Sequence, residues 1–118
     1  MSKKYNLGTV QQGISKTELW RGSFADSQQT ITLNDSVKNY KFIYLYFITY
    51  NESNHNSITF LIDTDDINNA DGVNAFVAAL TATAQDYRYF GFNFLNGFDK
   101  LTTENVQNCT LKRIVGIN

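Results

Sequence analysis

The chain has no proline, one cysteine and one histidine, and no apolar run long enough to cross a bilayer. The first absence leaves no proline-rich segment. A lone Cys109 excludes an intrachain disulfide framework and fits assembly in a reducing compartment, with the thiol expected as a small buried hydrophobe. Any Ser-His-Asp or Cys-His arrangement must use His55, which lies in the polar stretch Asn51 to Asn56 and is expected to be solvated. One His and one Cys are too few soft ligands for zinc, and no glycine-rich phosphate loop is present. Only three Glu occur (Glu18, Glu52, Glu104), and nothing singles out a carboxylate pair for glycoside hydrolysis. The expectation is a protein that is not an enzyme, with no catalytic residue, no metal and no cofactor.

Charge of one sign is also scarce. Ten basic and eleven acidic side chains give a formal net charge of −1, so the field that collects phosphate backbones is missing and no nucleic-acid partner is expected. The densest basic pair is Lys3-Lys4. Lys112 and Arg113 are neighbours in an extended segment, where alternation sends them to opposite faces and makes no patch. Met1-Ser2-Lys3-Lys4-Tyr5-Asn6 carries charge without a following apolar run, so neither a secretory signal nor membrane insertion is expected.

What remains suits one core. The chain has 118 residues, 42% of them apolar, with nine Phe, seven Tyr and one Trp, so aromatic rings supply much of the buried surface and favour strands. Residues 1–16 are polar with scattered Tyr5, Leu7, Val10 and Ile14, and read as an arm ordered only by a partner. The domain is expected over residues 17–118.

Glu18 to Gly22 and Gln29 to Leu33 read as short strands, with turn chemistry at Asn34-Asp35-Ser36. Tyr40 to Tyr50 is apolar on both faces, which predicts a central strand; Ser57 to Asp63 is its return. The interval holding Asp63, Asp65, Asp66, Asn68, Asn69 and Asp71 breaks the EF-hand spacing at Ile67 and reads as a solvated connection. Between residues 73 and 84 the spacing fits a short helix and a strand equally, and neighbouring strands favour the strand. From Tyr87, Arg88, Phe90, Phe92 and Phe94 share a core face. Asn96-Gly97 signals a primed hairpin turn, and Thr110 to Ile117 a last strand. Seven or eight strands predict an all-β fold, an antiparallel β-sandwich or jelly roll.

Tyr44, Tyr46 and Tyr50, with Tyr87 and Tyr89 and aided by Asn93 and Asn54, are the candidate platform for stacking sugar rings. The other reading of the same residues is core or subunit interface. Two strands apolar on both faces in so short a chain predict a homo-oligomer, a trimer foremost.

Thr17-Glu18-Leu19-Trp20-Arg21-Gly22-Ser23-Phe24, then Gln29 to Leu33, Tyr40 to Leu45 and the ending Leu111 to Ile117 resemble β-sandwich domains of bacteriophage tail-fibre, baseplate and other appendage proteins of Gram-positive hosts. The resemblance implies a virion module assembled in the host cytoplasm, trimeric, joined to other virion proteins through its arm and touching cell-surface saccharide. A head-fibre or small baseplate component fits the short arm. The alternatives are a carbohydrate-binding module without a virion and a small regulatory or inhibitory protein.

Overall fold

Nearly every run of alternating apolar residues forms a strand, because each can bury one face against an opposing sheet. The computed structural model describes residues 13–50, 55–67, 75–80 and 88–118. Within them the strands are β1 (Lys16–Phe24), β2 (Thr30–Thr32), β3 (Phe42–Tyr50), β4 (His55–Asp63), β5 (Ala75–Ala79), β6 (Tyr89–Phe94), β7 (Lys100–Gln107) and β8 (Cys109–Ile117). Among the described residues helix is limited to two 3-10 turns, Val37–Asn39 and Thr64–Asp66.

The strands form two antiparallel four-stranded sheets, a front sheet in the order β1-β8-β3-β4 and a back sheet in the order β2-β7-β6-β5. The fold is an all-β sandwich, as expected. The first two strands pair with the last two, β1 with β8 and β2 with β7, while β3 and β4 form an antiparallel ladder within one sheet. β3 is central, flanked by β8 and β4.

The core lies between the sheets. Ile43, Leu45 and Phe47 face inward from β3, and Phe90, Phe92 and Phe94 from β6, all at most 1% exposed. Phe47 meets Phe90 at 5.0 Å between centroids, and Phe60 meets Phe92 edge-on at 6.5 Å. Each such ring contributes about 1.5–3 kcal/mol of burial, far more than any propensity difference per residue, so packing decides the local structure. That resolves the ambiguous segment: residues 75–79 are a strand, in which Phe76 stacks on Phe92 at 5.5 Å. A helix across residues 73–84 is thereby excluded; residues 73, 74 and 81–84 themselves lie outside the described ones. Arg88, expected on the Phe face, is buried there, and its Nη1 donates to Thr49 Oγ1 at 3.0 Å.

Several expected boundaries move. β1 starts at Lys16, and Ser15 and Asn118 exchange backbone hydrogen bonds of 3.0 Å, so the sheet reaches into the segment read as an arm. Of that arm, residues 1–12 lie outside the described ones. His55 opens β4, where it pairs with Tyr50 instead of sitting in a loop, and it remains exposed. The Asn96-Gly97 turn is not of the primed type, which needs positive φ at both central residues. Only Gly97 (φ 92°) and the following Phe98 (φ 57°) are left-handed, and Phe98 N–H donates to Leu95 O at 2.9 Å. The loop is longer than two residues: Leu95 N–H bonds Lys100 O. Of the acidic interval, Asp63 caps the second 3-10 turn by accepting from Asp65 N–H at 2.9 Å; residues 68–72 lie outside the described ones.

Candidate functional site

Alternation along β3 places Ile43, Leu45, Phe47 and Thr49 inside and leaves Phe42, Tyr44, Tyr46, Ile48 and Tyr50 on the outer surface of the front sheet. Because β3 is central, this row runs down the middle of the sheet face. Across the ladders Tyr44 stands between Val115 and Leu61, and Tyr46 between Arg113 and Thr59. Tyr50 faces His55, with the two rings edge-on at 5.9 Å.

Three of the six candidate residues therefore share one surface: Tyr44, Tyr46 and Tyr50, all half-buried. Tyr89 and Asn93 do not join them. They lie on β6, on the outer face of the back sheet, where Asn105 Nδ2 donates to the Tyr89 hydroxyl at 2.9 Å. The reason is topological: β3 and β6 belong to different sheets, and their outward faces point away from each other. Tyr87 and Asn54 lie outside the described residues.

A feature that simple alternation hides adjoins the tyrosines. Tyr46 and Phe47 are consecutive on β3, yet they pair with Arg113 and Leu111 on β8, so Lys112 is an extra residue there. On the other side of β8, Arg21 pairs with Arg113 and Phe24 with Leu111, so Gly22 and Ser23 oppose the single Lys112. Two bulges adjoin, and bulges re-aim side chains. Their effect is to bring Lys112 and Arg113 to one surface instead of opposite faces, in a depression of about 700 Å³ lined by Arg21, Gly22, Ser23, Tyr46, Lys112 and Arg113. The basic patch judged absent from alternation is present. Its one sequence signal was Gly22, where an added Cβ would stand 2.8 Å from the Trp20 ring.

The charges there are unevenly matched. Arg21 Nη2 lies 2.7 Å from Glu18, and this hydrogen bond holds the Glu18 carboxyl below its usual range and the Arg21 guanidinium above its own. Arg113 rests against two rings, 5.8 Å from the Tyr44 centroid and 5.2 Å from that of Tyr46. Its Nε is shielded from solvent and has no hydrogen-bond acceptor among the described residues. Lys112 Nζ donates to Ser23 Oγ at 2.5 Å. Among the described residues no salt bridge reaches Lys112 or Arg113.

The other residues considered for chemistry are dispersed. Cys109 is fully buried, with Sγ 3.4 Å from Tyr89 O, and burial pushes its thiol up to about 11. No group of three or more His, Cys, Asp or Glu among the described residues could hold a metal ion, and none of the helices there is long and apolar enough to cross a membrane. Compared with known proteins, the chain matches no family model and no curated sequence.

Proposed function

We propose that this chain is a non-enzymatic structural module of a bacteriophage virion, in a tail, baseplate or head fibre, that contacts saccharide on the host surface through the outer face of its front sheet. The observation that carries the reading is the row of Tyr44, Tyr46 and Tyr50 down the centre of that face. Half-exposed tyrosines held by a strand present apolar ring surface with a polar tip at little entropic cost, which suits stacking against a pyranose. The sequence stretches that resemble phage appendage domains form β1, β2, the start of β3 and β8, the strands that close the sandwich.

The reading extends to assembly. Phe42 (38% exposed) and Leu61 (59% exposed) give the same sheet an apolar end, available to a second copy in a homotrimer, and residues 1–16 would join other virion proteins. His55 and Glu18 stand on opposite edge strands of the front sheet and Cys109 lies in the core, a separation that supports the non-enzymatic part.

The test is co-sedimentation of the protein with purified Gram-positive cell walls, with and without competing free cell-wall oligosaccharide. Binding that competitor releases and Tyr44→Ala weakens is expected; binding indifferent to both contradicts the saccharide contact. For the virion part, capsid, portal or tail genes beside the coding sequence are expected.

A further inference from the structure

The basic depression at the paired bulges is left unused by stacking alone. Resting on the saccharide reading, we infer that it receives an anionic substituent, a carboxylate or phosphate ester, of the sugar lying on the tyrosine row. The depression adjoins that row through a shared residue, Tyr46, so one sugar unit can touch both.

The physical case has three parts. Three cations converge on the depression against one carboxylate, Glu18, which is hydrogen-bonded to Arg21 and also attracted to Arg113. Arg113 is held against two aromatic rings, so its guanidinium is oriented in advance and partly stripped of water, the state in which a carboxylate or phosphate gains most from it. Lys112 is positioned by Ser23 and adds a compact ammonium beside the planar fork. On a chain whose formal net charge is −1, this concentration is local, as a recognition site requires, and unlike the extended basic surface that collects nucleic acid.

The arrangement is also costly unless used. Arg113 Nε is buried with no acceptor among the described residues, and a cation so placed is stabilised when an anion arrives next to it. The bulges have a plain consequence for sequence variation as well. Deleting Lys112 would restore the regular register between β3 and β8 and remove the ammonium from the depression.

The experiment is a titration of the full chain, followed by NMR, with four probes: glucose, glucose 6-phosphate, glucuronate and inorganic phosphate. Both charged sugars are expected to bind at least about tenfold more tightly than glucose, with shifts at Ser23, Lys112 and Arg113. Comparison of the two charged sugars separates phosphate from carboxylate. The charged-to-neutral ratio should fall severalfold in Lys112→Gln, a half-exposed position whose folding a thermal melt verifies, and on raising salt. Equal affinity for glucose and its charged analogues overturns the inference while leaving the saccharide reading intact. Binding of inorganic phosphate with none of the three sugars overturns the saccharide reading and the inference together and leaves a bare anion site. Absence of binding by all four probes, or a ratio unchanged in Lys112→Gln, overturns the inference outright.

Discussion

Arg113 lies over the ring of Tyr46, its guanidinium carbon 5.2 Å from the ring centroid, directly across the β3 to β8 ladder. The pair ties the bulged strand to the central one at the point where regular alternation fails. A double-mutant cycle of Tyr46→Leu and Arg113→Met is expected to give a coupling of about 0.5–2 kcal/mol in chemical denaturation. A coupling near zero would mean the guanidinium is not held by the ring.

Gly116 and Tyr40 make a second tight contact. A Cβ at Gly116 would stand 2.5 Å from the Tyr40 ring, whose hydroxyl donates to Asp35 Oδ2 at 3.0 Å. Gly116→Ala should therefore cost about 1–3 kcal/mol as the ring is displaced. Urea denaturation measures it, and an unchanged midpoint would show that Tyr40 moves aside freely.

Asp35 links this contact to pH. Hydrogen bonds from Asn39, Tyr40 and the Ser36 backbone hold its carboxyl below the usual value. With the folded value below the unfolded one, its contribution is complete above about pH 4 and is lost as acidification passes through the folded value. The acid limb of the stability profile should be shallower in Asp35→Asn than in the natural chain. Identical limbs would remove Asp35 as a contributor.

Cys109 is expected to be inert while the sandwich is closed, because its thiol is buried and pushed up to about 11. Reaction with a thiol reagent near neutral pH should be slow in buffer and complete within the mixing time in denaturant. Fast labelling of the native protein would show that the sandwich opens at the start of β8.

Much of the fold was legible because packing and local pattern agree. The strict alternation of Phe90, Phe92 and Phe94, and the apolar core of Tyr40 to Tyr50, left one economical solution, two sheets sharing an aromatic core. Residues 73–84 were ambiguous because helical and strand spacing both fit; the stacking of Phe76 on Phe92 decided it, a contact between segments that local pattern does not encode. The hairpin at Asn96-Gly97 was typed wrongly because Phe98, a residue that seldom takes positive φ, does so here with its ring packed on the core.

The site was only partly legible. Tyr44, Tyr46 and Tyr50 follow from period-two alternation within one strand, whereas grouping them with Tyr89 and Asn93 needed the sheet assignment, which alternation cannot supply. The basic depression was hidden for a related reason. A bulge shifts the face of every residue beyond it, and Leu111-Lys112-Arg113-Ile114 carries no mark that Lys112 is the extra one.

The most direct test of the saccharide contact is NMR mapping of the full chain titrated with solubilised Gram-positive cell-wall polysaccharide. Shifts concentrated at Tyr44, Tyr46, Tyr50 and Arg113, and absent from Tyr89 and Asn93, are the expected result. Shifts confined to the back sheet, or none at saturating polysaccharide, would contradict the assignment of the front face as the surface that meets the host.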